Sequence, residues 1–399
     1  MKKISSLSLI ASILLAGSAY ADNLNEAFAK SKYKGELKAA YVHSNFLGTK
    51  TSDSVTAVGG NLGMITGDFY GFKAGATLQA SSVLHDGIDY SDGVSKRANY
   101  FDASGAVLSE SYLEYTLANT SLKAGRQFIH TPLVSSGIDG KSSEAIIKDS
   151  FEAYLLTNTD IPNTTFVAGY VNKFQPQTDS AGKPGKFDKF QDDVYTIYVK
   201  NNSIKNLTLQ AQYLDEQGIQ SNTDRDVFYF QADYKLSSHT ISAQYLASTD
   251  KSQAANAQDG ELFGLKATGP LGIWKLGYLV AYNASTDKNA AVYTGAGEGT
   301  TDTPFTAMPV HDGGVPTRPD TDTLVGAIVA PIAGATVIGY GGKSSSSTHP
   351  IGDVKAAGAM VIYPIVKNLL LKVNYEHVSV EKIFTKSTDT ARVYLSYSF

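Results

Sequence analysis

Ala391-Arg392-Val393-Tyr394-Leu395-Ser396-Tyr397-Ser398-Phe399 closes the chain in strict alternation. Ala391, Val393, Leu395, Tyr397 and Phe399 face one way, and Arg392, Tyr394, Ser396 and Ser398 face the other. Period two is the signature of a β-strand, because successive side chains on a pleated backbone point to opposite faces. The pattern recurs upstream. Leu369, Leu371, Val373 and Tyr375 oppose Leu370, Lys372, Asn374 and Glu376; Trp274, Leu276, Tyr278, Val280 and Tyr282 oppose Ile273, Lys275, Gly277, Leu279 and Ala281. One face is aliphatic and aromatic, the other carries Lys, Glu, Asn and Gly. A soluble sandwich would alternate in the same way, so the connections between strands must decide.

Reading the alternation along the whole chain predicts strands over 34–46, 55–65, 69–80, 108–117, 121–129, 151–158, 164–173, 193–200 and 207–215. Further strands follow over 226–235, 240–248, 260–268, 272–283, 322–330, 335–343, 354–363, 369–379 and 390–399, eighteen in all. Short connections such as Thr66-Gly67-Asp68, Ala118-Asn119-Thr120, Ser237-Ser238-His239 and Thr268-Gly269-Pro270 alternate with longer ones, among them 81–107, 130–150, 174–192 and 284–321. An even number of strands, with tight turns at one end and long loops at the other, defines an all-β fold: a transmembrane antiparallel β-barrel. A propeller or sandwich has no reason to gather its long loops on one edge.

Composition agrees. The 399 residues are 42% hydrophobic but only 18% charged, against roughly 25% charged in average soluble domains. Mean hydropathy is −0.14, too polar for a helical bundle in lipid but natural for strands in which only alternate residues meet lipid. The 24 Tyr and 17 Phe suit aromatic girdles. Tyr41, Tyr70, Tyr112, Tyr198, Tyr229, Tyr245, Tyr282, Tyr363 and Tyr375 lie near strand ends, where such belts form. The absence of cysteine removes disulfides, thiolate metal sites and Cys nucleophiles together. A net charge of −4 gives no electrostatic case for nucleic acid.

Met1-Lys2-Lys3, the apolar stretch Leu7–Leu15 and Ala19-Tyr20-Ala21 read as a secretory signal peptide cleaved after Ala21. The stretch is too short to span ~30 Å of hydrocarbon. The expected organisation is a signal peptide over 1–21, a short periplasmic segment over 22–32 and the barrel over 33–399. Leu395, Tyr397 and Phe399 resemble the C-terminal signal read by the barrel-assembly machinery. The chain is therefore expected in the outer membrane of a Gram-negative bacterium, among lipid and lipopolysaccharide.

The segment Asn23-Leu24-Asn25-Glu26-Ala27-Phe28-Ala29-Lys30-Ser31-Lys32-Tyr33-Lys34-Gly35-Glu36-Leu37-Lys38 resembles the opening of OprD-type outer-membrane porins, those of epsilonproteobacteria in particular. Leu122-Lys123-Ala124-Gly125-Arg126-Gln127, with Pro132-Leu133-Val134-Ser135-Ser136-Gly137-Ile138-Asp139, also looks like that family. The resemblance implies an eighteen-stranded channel for passive diffusion of small hydrophilic solutes, constricted by an infolded third loop. This chain departs from the arginine-rich lumen of better-known members, having only five Arg.

In a porin, chemistry means pore width and lining charge. A charge on the lipid face near the midplane costs ~2–4 kcal/mol, so midstrand charges should face water. By parity Lys38, Lys73, Lys123, Lys275, Lys372 and Arg392 belong to the polar face, with Glu36, Glu110, Glu114, Glu152 and Glu376. Arg126 is placed with them although it shares parity with Leu122, Ala124 and Phe128, a conflict that a bulge or a subunit contact would resolve. The connection 130–150 is expected to form the constriction, with Pro132, Ser135, Asp139, Lys141, Glu144, Lys148 and Asp149.

Enzymatic readings fare poorly. The seven His show no H-E-x-x-H or paired spacing, so neither a metal nor another cofactor is expected. Gly341-Gly342-Lys343-Ser344 mimics the end of a P-loop, but Val337 stands where that motif requires Gly. No Gly-x-Ser-x-Gly stands out. Asp192-Asp193 and Asp215-Glu216 sit at loop edges, where divalent cations or lipopolysaccharide could bridge them. The rival readings are a substrate-specific channel for carboxylates or amino acids, and an adhesin or structural protein using the loops 81–107 and 284–321. The sequence leaves the oligomeric state open between a monomer and a homotrimer, an assembly common in related porin families.

Overall fold

The computed structural model describes residues 23–45, 52–86, 103–140, 142–179, 181–189, 193–218, 224–251, 259–287, 290–308, 315–348, 350, 352–382 and 387–399. The expected signal peptide and Lys141 lie outside these residues. A short helix, α1 (Leu24–Ala29), is capped by Asn23, whose side chain accepts the Glu26 N–H at 2.9 Å. Eighteen strands follow: β1 (Lys32–Asn45), β2 (Ser52–Ile65), β3 (Phe72–Asp86), β4 (Gly105–Leu117), β5 (Thr120–Gln127), β6 (Ser150–Asn158), β7 (Thr164–Gln175), β8 (Asp193–Asn201) and β9 (Leu207–Gln217). The second half comprises β10 (Arg225–Leu236), β11 (His239–Asp250), β12 (Gly260–Pro270), β13 (Gly277–Ser285), β14 (Thr321–Ile332), β15 (Ala335–Ser346), β16 (Val354–Val366), β17 (Leu369–Val380) and β18 (Ser387–Ser398).

Every strand pairs antiparallel with its neighbours in sequence, and β1 pairs with β18, so the sheet has no free edge. Closure runs in the register Leu37↔Tyr397 and Ala39↔Leu395. It ends where Gly35 and Phe399 exchange both backbone hydrogen bonds, at 2.9 and 3.0 Å. The terminal Phe399 is thus part of the seam, with its ring beside that of Tyr397 on the outer face. Helix α1 docks at the same end, where the Ala27 carbonyl accepts the Gly67 N–H at 2.8 Å.

Side chains sort by parity as the alternation requires. Leu37, Leu62, Leu113, Leu122, Phe263 and Leu324 are exposed on the outside, while Gln79, Gln212, Gln244, Asn283 and Asn374 are buried on the inside. Polar-in and apolar-out inverts a soluble core and is the pattern of a barrel whose solvent is lipid. No described helix is long and apolar enough to cross a membrane; the crossing elements are strands. Near their long-loop ends, outward tyrosines donate to carboxylates on the next strand: Tyr170 to Asp193, Tyr213 to Asp226 and Tyr245 to Glu261, each at 2.7 Å, and Tyr375 to Asp389 at 2.5 Å. An amphipathic ring with a polar tip belongs at such a boundary. Three tyrosines assigned above to the belts face inward instead. Tyr112 lies under Lys123, Tyr198 bonds Gln210, and Tyr229 joins a buried apolar cluster.

All eighteen strands overlap their expected positions, with one consequential difference. The strand expected over 272–283 begins at Gly277. Trp274 and Lys275 adopt left-handed backbone angles, φ 46° and 57°, and form a turn instead of a ladder. Lys275 is therefore exposed at the tight-turn end of the barrel and does not line the lumen.

Candidate functional site

The lumen is crossed by two loops. The third loop, 128–149, connects β5 to β6, and the seventh, 286–320, connects β13 to β14. The third loop first turns at Thr131, whose N–H and hydroxyl both bond the Val134 carbonyl, at 2.9 and 3.0 Å. This turn is pinned to β9: the Leu133 N–H donates to Gln212 Oε1 at 2.8 Å, and Gln212 Nε2 donates to Thr131 Oγ1 at 2.9 Å.

The two loops then pair with each other. The Ala296 N–H donates to the Leu133 carbonyl at 2.9 Å, the Ser135 N–H to the Ala296 carbonyl at 3.0 Å, and the Thr303 hydroxyl to the Pro132 carbonyl at 2.8 Å. Gly297 permits this approach. Its φ is 89°, and a Cβ there would sit 2.3 Å from the Ser135 carbonyl oxygen. The seventh loop is held to the wall by β11 and β13, where Gln244 Oε1 accepts the Phe305 N–H at 2.8 Å and Asn283 Oδ1 accepts the Thr306 N–H at 2.9 Å. Leu133, Val134, Val292 and Ala296 pack in one apolar cluster with Leu214, Leu246 and Leu262 from the strands.

Beyond this joint the third loop reaches the opposite wall. Its short 3-10 turn, Ser142–Glu144, delivers Glu144 to β17 and β18. Glu144 pairs with Lys372, accepts from Arg392 Nη1 at 2.9 Å and accepts the Tyr394 hydroxyl at 2.8 Å. Burial alone would raise the Glu144 pKa, but the Lys372 and Arg392 charges outweigh it and hold the group below the ordinary carboxylate range. Lys38 on β1 donates to the Ser143 carbonyl at 3.0 Å and lies 3.4 Å from Glu36. The loop then returns to β3, exchanging hydrogen bonds between Lys148 backbone and the Gln79 amide, each 2.9 Å.

At its end Asp149 accepts the Glu298 N–H from the seventh loop at 2.6 Å. Burial pushes the Asp149 carboxyl well above its usual range and the Lys148 ammonium well below its own.

A second charged group lies on β3–β5. Lys123 is 3.8 Å from Glu110 and 3.7 Å from the centre of the Tyr112 ring, and Thr77 donates to Glu110 at 2.6 Å. Glu114 lies on the same face nearer the tight turns, as does Lys73, 3.9 Å from Asp68. Glu376 accepts the Tyr340 hydroxyl at 2.8 Å. The lumen thus gathers Lys38, Lys73, Lys123, Lys372, Arg392, Glu110 and Glu114. It does not gather Lys275, nor Arg126 and Glu152, which stand on the outer face. Pro132, Ser135 and Glu144 lie on the crossing loop. Asp139 sits on an exposed part of it, 3.2 Å from His130 Nδ1.

Sequence reasoning missed the seventh loop, which had been grouped with external loops suited to an adhesin. It brings Phe305 into the lumen, with the Lys266 ammonium of β12 3.9 Å from the ring centre. Its length was a usable signal, since structureless connections beyond about 12–15 residues are commonly functional. Among the described residues no group of three or more His, Asp or Glu could hold a metal ion.

A closed strand ladder, an apolar exterior and a charged interior crossed by loops define a transmembrane barrel of the porin type. No protein-family model and no curated protein matches the sequence. Solved structures do match its fold. Pseudomonas aeruginosa OpdO is 14% identical with a TM-score of 0.74, over 94% of this chain and 98% of that one. Acinetobacter baumannii OccAB1 is 12% identical with a TM-score of 0.73, over 94% and 97%. The outer membrane protein OpdK of P. aeruginosa is 13% identical with a TM-score of 0.73, over 93% and 99%. These neighbours are porins of the OprD/Occ family, and the chain shares their eighteen-stranded fold.

Proposed function

We propose that this protein is an outer-membrane porin through which ions and small hydrophilic solutes diffuse passively. The observation that carries the reading is the third loop's span from Gln212 on β9 to Lys372 and Arg392 on β17 and β18. A loop pinned across a polar lumen by buried hydrogen bonds and ion pairs narrows a pore; it has no such purpose in a structural scaffold. Lys38, Lys123, Lys372 and Arg392, paired with Glu36, Glu110 and Glu144, line the constriction with charges that steer charged solutes. A selective channel is favoured over a wide sieve by the second infolded loop, which narrows the lumen further.

The decisive measurement is conductance of purified protein in a planar bilayer under a KCl gradient. Discrete steps with a non-zero reversal potential are expected; silence from folded, heat-modifiable protein would overturn the reading. Selectivity predicts saturable block by the permeating solute. Assembly as a homotrimer would use the outward depression at Ala39, Gly60 and Ala80, between Leu37 and Leu78. The mass of the detergent-solubilised complex tests it.

A further inference from the structure

Arg126 conflicted with a lumen role in the sequence, and its actual surroundings suggest another role. Ser111, Arg126, Glu152 and Lys173 stand in one cross-strand row over β4–β7. Their parity is the outward one, shared with the exposed Leu113, Leu122 and Tyr154. Below the row on the same face runs an aromatic ladder, Tyr154–Tyr170–Tyr195, with ring centres 6.1 and 5.3 Å apart. Two residues along a strand is about 7 Å, so the row lies just beyond the apolar band, at the end bearing the long loops. Charges cost little there, ~0–1 kcal/mol, because they meet headgroups and not hydrocarbon.

The row is under-neutralised. Glu152 is shared between Lys173 Nζ at 2.9 Å and Arg126 Nε at 3.7 Å, and no second carboxylate lies within 4 Å of either cation among the described residues. Arg126 has five N–H donors, yet its only other polar contact among the described residues is a long one, Nη1 to the Leu108 carbonyl at 3.5 Å. Phe187, from the connection between β7 and β8, covers the guanidinium face with its ring centre at 4.3 Å. That leaves the donor-bearing edge open. Arg126 and Lys173 keep 36% and 40% of their side-chain surface, and Lys186, which precedes Phe187 in the chain, is exposed. Asp193 accepts the Tyr170 hydroxyl and makes no ion pair within 4 Å with Arg126 or Lys173 among the described residues.

We propose that Arg126 and Lys173, assisted by Lys186, form a lipid-facing anion site for the phosphate of an outer-leaflet glycolipid headgroup. A guanidinium edge with a net positive charge at headgroup height matches a phosphate in geometry and sign. The proposal rests on the outer-membrane reading above and is independent of what passes through the lumen.

The test titrates detergent-purified protein with bisphosphorylated and with fully dephosphorylated lipid A, counting bound lipid by native mass spectrometry. Wild type is expected to bind the bisphosphorylated form, with affinity about tenfold lower for the dephosphorylated form and for an Arg126→Gln/Lys173→Gln double variant, the loss of one or two charge-assisted hydrogen bonds. Glu152→Gln removes the competing carboxylate and should bind more tightly than wild type. Equal binding by double variant and wild type, indifference to the lipid phosphates, or tight binding of inorganic phosphate that lipid A does not displace would each overturn the proposal. Conductance recorded on the same samples separates the two readings. A double variant that conducts normally but loses lipid A locates the site outside the pore. Phosphate-dependent lipid binding by protein that never conducts would sink the porin reading alone.

Discussion

At Glu144 one carboxylate answers three partners on two strands, from a loop that left the barrel wall on the other side. Removing it takes from Lys372 and Arg392 the carboxylate they share, although Glu376 still acts on Arg392, a local cost of up to about 3–5 kcal/mol. Glu144→Ala is therefore expected to free the loop tip and give larger, noisier single-channel steps while the barrel stays folded. Unchanged conductance and noise would argue against the pinning role. The pH dependence has a definite sign. Glu144 is held below its ordinary value, about 4.3, so its full contribution is present above that value and is lost as pH falls through the depressed one. The wild-type channel should match the Glu144→Ala noise only in strong acid, and records between pH 7 and pH 3 would show the onset.

Asp149 behaves in the opposite way, because burial favours its neutral form. Asp149→Asn keeps an oxygen for the Glu298 N–H and should conduct like wild type. Asp149→Ala strands that part-buried N–H, at a cost of up to about 1–3 kcal/mol, and should alter conductance. Equal behaviour of the two variants would remove Asp149 from the joint.

At the scale of elements, the strands were legible because each is defined by its own period and its own turn. Ala391 to Phe399 reads as a strand without knowledge of any partner. The exception confirms the cause. Trp274 and Lys275 continue the alternation on paper, but their left-handed backbone ends the ladder, and nothing in a period-two pattern records φ. At Arg126 parity pointed outward correctly and charge type misled, whereas Glu152, expected on the polar face, stands outside. Bulges at Thr77/Leu78 and Glu152/Ala153 shift the register nearby. The contact between the two loops was not legible at all, since it joins residues about 150–170 positions apart, largely through backbone groups common to every residue. It is open to test. Gly297→Ala places a methyl against the Ser135 carbonyl at a positive-φ position essentially reserved for glycine, costing of order 1–3 kcal/mol, and should loosen both loops together. Limited proteolysis within 128–149 and 286–320 reads the result; protection equal to wild type would show that the joint tolerates the change.

For the whole molecule, closure between β1 and β18 removes the last sheet edge, which lipid could not satisfy. Phe399 contributes its backbone to Gly35 and its ring to the outer face beside Tyr397. Deleting Phe399 is expected to deplete heat-modifiable protein from the outer-membrane fraction, through loss of both the seam and the assembly signal. A normal yield of folded barrel would show that neither depends on it. What the sequence by itself determined was the barrel: strand number, order, the apolar outside and the polar inside all follow from alternation and connection length, which are local quantities. Which charges share the lumen, which stand in the lipid headgroup layer, and how two loops meet across the pore were decided only in the tertiary structure. Those depend on bulges, backbone handedness and contacts between distant segments, and no local pattern encodes them.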